Sequence, residues 1–429
     1  MLSNSWLFLA FRDFYNNFIS FLYDLIYWIR LQYPNIQKLM SHQKYYYELW
    51  DHYSFSRWEN PFSESGFSIY NVPFTSPNDD MLPYEEGNPG RKIDGYQLDS
   101  DDRIEENRRF VYPVFIGHQP VNNGKVTILL HGLNERDWDK YLPWARALHK
   151  QTGQPVILFP ISFHVNRCPE SWKDPRLMTH LARERKKRYD GLSDSTFLNA
   201  AISERIQMLP KRFYTSGLQT YYDLVALIAQ IKSGNHPLLG RKTQVNFFGY
   251  SIGALLTEIL LMVNPKNLLN ESKAFLFCGG SSIDRMKGVS RFILDSEAFH
   301  ALRAYFVHLD EYLGSDNQLK EFLKKLDPGV YFRSMIDSLG LRDYRISRMK
   351  ALSSQLKILT LKKDRVISPQ AVRETFEGMG SQINRLITVM DFPYSYSHEN
   401  VFPLNGKMPH REVDNAFDRV FTGAAQHLV

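Results

Sequence analysis

The stretch Gln244–Asn264, QVNFFGYSIGALLTEILLMVN, changes character within a single turn of chain. Val245–Phe248 is a short apolar run of strand-forming residues, and Ala254–Val263 is an apolar run long enough only for a helix. The residues between them, Gly249-Tyr250-Ser251-Ile252-Gly253, must reverse the backbone so tightly that side chains at Gly249 and Gly253 would strike neighbouring main chain. Such a turn forces Ser251 into a strained conformation and leaves its hydroxyl presented at the strand's end. The alternative reading is a glycine-rich strand-to-helix turn whose serine is merely structural.

Outward from this turn, strand-like and helical texture alternate. Before it come Phe110–Gly117 (FVYPVFIG), Lys125–Gly132 (KVTILLHG), a helix through Trp138–Gly153, Pro155–Pro160 (PVILFP), and a long helix through Tyr214–Gly234. After it come Ala274–Gly280 (AFLFCGG), Leu356–Lys363 (LKILTLKK), a helix near Pro369–Gly380, Ile383–Met390 (INRLITVM) and a last helix after Glu412. Alternation of this kind predicts parallel strands joined by crossover helices. Residues 161–210 carry no clear strand and are positioned to overhang the carboxyl edge of the sheet. Residues 281–352 read as a helical cap, 40–110 as an irregular leader rich in turn signals, and 1–39 as a hydrophobic aromatic extension. The core is thus split into 111–280 and 353–429.

Composition bounds the rest. A chain of 429 residues with 43% hydrophobic and 23% charged side chains buries a full core. Its two cysteines, Cys168 and Cys278, build no disulfide framework and have no metal-ligand spacing, which fits a reducing, cytoplasmic compartment. The net charge of +6 is mild, and its densest patch, Arg183–Arg188, reads as a solvated helix face rather than a nucleic-acid site. The aromatic stretches Trp6–Phe11 and Phe18–Ile29 are interrupted by Arg12, Asp13, Asp24 and Arg30, so neither a membrane span nor a signal peptide is supported. Three readings of residues 1–33 remain: a helix on a membrane surface, a helix docked on the protein itself, or an untranslated extension with Met40 as the start. The last two are favoured over the first.

A serine hydroxyl is a weak nucleophile at neutral pH and needs a base, which in turn needs a carboxylate to fix its tautomer. Asp364 directly follows the buried run Leu356–Lys363, and His398 follows Ile383–Met390, so acid and base reach the same edge of the sheet as Ser251. Asp284 and Asp391 are rival acids, each at or near a strand end. His300, His308 and His410 read as packing or surface residues, and Glu399, beside His398, points away in any extended loop. The charge that develops on the substrate oxygen requires backbone donors. Ile252 supplies one N–H and Leu133, after His131-Gly132, the other. His131 belongs to that turn and is read as structural rather than as the base.

In combination, HG after one strand, GYSIG after another, KKDRVISP and YSHEN resemble the α/β-hydrolase superfamily over residues 110–429. The resemblance implies an α/β fold with a mostly parallel eight-stranded sheet, flanking helices and a helical cap inserted before the acid-bearing strand. It implies no metal or organic cofactor. It makes His131, Gly132, Gly249, Tyr250 and Gly253 the oxyanion loop and elbow around a Ser251–His398–Asp364 triad. The expected activity is hydrolysis of an ester or thioester through an acyl-enzyme, with peptidase and acyltransferase chemistry as same-fold alternatives and a non-catalytic binding protein as the rival class. A small or lipid-like acyl substrate is the expected partner, held by cap aromatics such as Phe292, Phe299, Tyr305 and Phe306. Oligomeric state has no signature here.

Overall fold

The computed structural model describes residues 41–77, 92–93, 96–97, 100–118, 124–309, 311, 327–404 and 410–429. The extension at 1–39 lies outside these residues, as does part of the block read as a cap. A nine-stranded sheet organises the chain: β1 (Glu59–Phe62), β2 (Phe67–Thr75), β3 (Arg109–Gly117), β4 (Lys125–Leu130), β5 (Val156–Phe159), β6 (Gln244–Tyr250), β7 (Ala274–Phe277), β8 (Leu356–Leu361) and β9 (Ile387–Met390). Their spatial order is β1-β2-β3-β5-β4-β6-β7-β8-β9. From β5 to β9 every pairing is parallel, while β1, β2 and β3 run antiparallel to their neighbours.

Two expectations need correction. The sheet has nine strands rather than eight, and the leader is not irregular: it forms α1 (Ser41–His52), β1 and β2. Asn71 and Pro73 break the apolar alternation of β2, which hides it from a periodicity reading. Pro73 lies beyond the four residues of β2 that β1 covers, where one edge of the strand is open and a missing N–H is tolerated.

Strand residues alternate between two apolar layers. Val126, Ile128, Leu130, Val245 and Phe247 face α5 (Lys211–Ser233) and α6 (Ile252–Val263). Leu129, Phe248, Tyr250, Phe275 and Phe277 face α2 (Leu142–Thr152) and α12 (His410–Leu428), where Trp144 lies 5.0 Å from Tyr250 and Phe248 stacks on Phe421 at 5.6 Å. A sheet buried on both faces has no rotational freedom about its strands, so the carboxyl ends of β4, β6, β7, β8 and β9 are fixed relative to one another.

Above that edge lie α3 (Pro175–Arg188), α4 (Ala200–Met208) and α7 (Ser296–Val307). Ile202 and Ile206 of α4 pack on Phe299 and Leu302 of α7. Further along, α8 (Asp327–Ile336) and α9 (Arg342–Ala351) insert Phe332, Met335, Ile346 and Met349 into the same core as α6. The basic run in α3 is only partly the solvated face expected. Arg183, Lys186 and Lys187 are exposed, but Arg185 is fully buried, forked onto Asp295 at 2.7 Å through two nitrogens and bonded to Glu204 at 2.5 Å. Asp295 also caps α7 by accepting from the Ala298 N–H, so a single carboxylate joins α3 to the start of α7.

Candidate active site

At the end of β6 the backbone of Ser251 adopts φ 55°, ψ −119°, a region that L-residues avoid, and α6 begins at the next residue. Three glycines make this turn sterically feasible. A Cβ on Gly249 would lie 2.7 Å from the Ala254 Cα. One on Gly253 would lie 2.4 Å from the Leu130 carbonyl oxygen, and one on Gly279 would lie 2.3 Å from the Ala254 Cβ. The sequence reading singled out the first two. Gly279 was legible only as part of a Gly-Gly doublet closing a buried strand.

Ser251, His398 and Asp364 lie together at this edge of the sheet. The Ser251 Oγ is 2.8 Å from His398 Nε2, and His398 Nδ1 is 2.8 Å from Asp364 Oδ2. A carboxylate only accepts, so Nδ1 carries the proton and Nε2 presents its lone pair to the serine hydroxyl. The other carboxylate oxygen accepts from the N–H groups of Val366 and Ile367, both at 2.9 Å, which fixes the acid in the short loop after β8. Burial and the neighbouring Asp364 carboxylate push the Cys278 thiol well above its ordinary range, so it stays a neutral group beside the acid. Ser251, His398 and Asp364 are each no more than 6% exposed.

The rivals are occupied elsewhere. Asp284 accepts from Ser338 at 2.7 Å, and Asp391 accepts from Tyr396 at 3.0 Å and pairs with Lys363. His300 is exposed, His308 lies 3.3 Å from Glu311, and Glu399 accepts from Ser290. His131 is buried and bonded on both ring nitrogens: the Ile161 N–H donates to Nε2 at 2.9 Å, so Nδ1 carries the proton and donates to the Gly132 carbonyl at 2.7 Å. Burial holds it well below the ordinary histidine range, and thus neutral.

That last bond orients the loop after β4. The peptide joining Gly132 to Leu133 is planar and trans, so turning its carbonyl inward to His131 turns the Leu133 N–H the opposite way. The Gly132 N–H is already spent on the Tyr141 hydroxyl at 3.0 Å. Neither the Leu133 N–H nor the Ile252 N–H donates to any acceptor among the described residues.

Leu133 and Ile252 also line a cleft walled by Ile161, Phe213, Leu255 and Phe332. Its polar lining includes His164 and the arginines Arg205 and Arg212, which share Asp101 at 2.7 and 2.8 Å. The cap aromatics expected there are elsewhere: Phe292 is exposed, Phe299 and Tyr305 are buried in helix contacts, and Phe306 packs on Phe213 without lining the cleft. Residues 161–213 supply much of the wall in their place. Among the described residues no cluster of His, Cys, Asp and Glu is arranged to hold a metal, and no helix is long and apolar enough to cross a membrane.

A family model described as a family of unknown function, DUF6051, matches residues 40–429. No curated protein matches the sequence. Among solved structures, similar chains include a thermostable esterase from Pseudomonas putida, at 11% identity, 84% coverage of each chain and a TM-score of 0.38. They also include carboxyl esterase 2 from the fungus Tuber melanosporum, at 10% identity, 91% coverage of this chain, 99% of the other and a TM-score of 0.40. A cold-adapted esterase from an Arctic intertidal metagenomic library matches at 12% identity, covering 85% of this chain and 95% of its own, with a TM-score of 0.38.

Proposed function

This chain belongs to DUF6051, a family of unknown function, and we propose that it is a serine hydrolase that cleaves an ester or thioester through an acyl-enzyme. The observation that carries the reading is the unbroken relay from Ser251 Oγ to His398 Nε2 and from His398 Nδ1 to Asp364, both steps at 2.8 Å, beside two unspent backbone N–H groups.

Ser251 Oγ attacks the acyl carbonyl carbon as its proton passes to His398 Nε2. The carbonyl electron pair moves onto oxygen, and the Leu133 and Ile252 N–H groups receive that charge. Asp364 stabilises the imidazolium through Nδ1–H. The oxyanion then collapses, the bond to the leaving oxygen or sulfur breaks, and Nε2–H protonates the departing group. Water, deprotonated by the regenerated base, repeats the sequence on the acyl-enzyme and frees the acid. The apolar cleft beside the two donors supports an acyl group of hydrocarbon character.

Labelling of the full chain with a fluorophosphonate, compared with Ser251→Ala, tests the nucleophile. A panel of p-nitrophenyl esters of graded acyl length, with thioester and peptide amide counterparts, tests the bond. Loss of label in Ser251→Ala with turnover of the esters is expected. Label retained in that variant overturns the assignment, and turnover of amides alone makes the chain a peptidase instead.

A further inference from the structure

The loop carrying the oxyanion donor and the loop carrying the base meet through a carboxylate outside the triad. Glu135, two residues beyond Leu133, accepts from the Tyr141 hydroxyl at 2.7 Å and from the Lys140 ammonium group. With its O–H directed at Glu135, the Tyr141 oxygen keeps its lone pairs for the Gly132 N–H at 3.0 Å. Lys140 also donates to the carbonyl of Glu399, the residue after the base, at 3.4 Å. Its ammonium group sits 4.9 Å from the ring centroids of both Tyr141 and Tyr250, and the Tyr250 hydroxyl donates to the His398 carbonyl.

Followed from end to end, these contacts fix the peptide ahead of the oxyanion donor on one side and the carbonyls of His398 and Glu399 on the other. Neither Glu135 nor Lys140 contacts the reacting atoms among the described residues, whereas the Tyr250 ring stacks on the His398 imidazole with centroids 5.5 Å apart. Glu135 and Lys140 keep 21% and 24% of their side chains exposed. Tyr141 and Tyr250, by contrast, are packed in the core and keep the local fold without the carboxylate.

We propose, on the basis of the serine-hydrolase reading, that Glu135 is a positioning residue: through Tyr141 and Lys140 it sets the spacing between the Leu133 N–H and the His398 imidazole. Acyl transfer needs both at once, so a shift of the two loops relative to each other penalises the transition state while leaving substrate binding in the apolar cleft intact.

The test uses the full chain, with p-nitrophenyl butyrate as substrate and a trifluoromethyl ketone as a probe that forms a tetrahedral oxyanion on the nucleophile. Glu135→Ala is expected to lower kcat by about 10- to 100-fold and to weaken the ketone by a comparable factor. KM should stay within about twofold, because ground-state binding is not addressed. Glu135→Gln, whose amide oxygen still accepts from Tyr141, should recover part of the loss. Lys140→Met should lower kcat in the same sense, and its effect should be less than additive with that of Glu135→Ala. Unchanged kcat in Glu135→Ala overturns the proposal. So does a kcat loss matched by an equal loss of sites titratable with fluorophosphonate, which reports only unfolded protein. If Glu135→Ala does not fold, Tyr141→Phe and Lys140→Met carry the same comparison. Label that persists in Ser251→Ala sinks the hydrolase reading itself, whereas Ser251-dependent labelling with an indifferent Glu135 sinks only the positioning role.

Discussion

The elbow and the helices lying over it are stabilised in opposite ways. Around Ser251 the chain is constrained by exclusion, because at Gly249, Gly253 and Gly279 there is no room for even one additional carbon. Over the cleft, α3, α4 and α7 are joined by attraction between buried charges: Arg185 with Asp295 and Glu204, and Arg188 with Glu204 at 2.8 Å. Steric exclusion is local, short-ranged and indifferent to solvent. Charge pairing in a dry interior depends on every partner being present, since removing one strands the others. The lower half of the site should therefore fail abruptly in chemistry, and the upper half by degrees in stability.

The deepest cut is Ser251→Ala, expected to reduce ester turnover on the order of 10⁶-fold with the melting midpoint little changed. A loss of only a few fold would place the chemistry outside the elbow. Asp364→Asn comes next, at about 10⁴-fold in kcat, because the amide favours the wrong imidazole tautomer. The two backbone N–H bonds to its other oxygen should keep the fold, so circular dichroism unchanged from the parent accompanies the expected result.

In the upper half, Arg185→Met should destabilise by about 3 to 5 kcal/mol in urea unfolding, because Asp295 is left buried without its counterion and Glu204 keeps only Arg188. Adding Glu204→Gln and Asp295→Asn should recover part of that loss. An additive decline instead would show that the three act as independent side chains.

The smallest effect tests the boundary between the halves. Glu258 lies on α6, fully buried, with no hydrogen-bond partner among the described residues on either carboxylate oxygen, and burial raises its pKa well above the ordinary range. It is therefore neutral in the folded chain, and ionised in the unfolded one above the ordinary glutamate value of 4.5. The unfolded state then holds fewer protons, so stability falls as pH rises through this window. Glu258→Met should raise the unfolding midpoint by about 2 to 6 °C at pH 7, for roughly 1 to 2 kcal/mol, and the gain should shrink toward pH 4. A gain independent of pH would point to packing alone.

What could be read from the chain follows the same division. Gly249, Ser251 and Gly253 are adjacent in sequence, so their mutual exclusion is written locally, and Asp364 and His398 are marked by the strand ends that precede them. The partners of Arg185 lie 19 and 110 residues away, and nothing in the basic run Arg183–Arg188 distinguishes the one buried arginine from its exposed neighbours. The cleft was misassigned for a related reason. Phe299 and Phe306 look like pocket residues in an aromatic helix, but which face of that helix meets the site depends on α4, whose own placement has no local signal. Strand β2 was missed because Asn71 and Pro73 suppress the periodicity that β3 and β6 display. Glu135, Lys140 and Tyr141 stand close together in the sequence, yet charged and aromatic residues at a helix start are too common to single them out.

The two outermost strands are only four residues each, and β1 carries Pro61 while β9 is flanked by the charged side chains of Lys362 and Asp391. Inside them run the nine-residue β2 and β3, whose exposed ladders would be templates for a strand from a second molecule. At the β1 rim the stub covers Phe67–Tyr70, and the uncovered remainder of β2 is interrupted by Pro73, which has no N–H to offer a further strand. Crowded copies of this protein thereby lose the simplest route to fibril growth, and the small hairpin formed before Gly66 serves as a guard against aggregation as much as an extension of the fold.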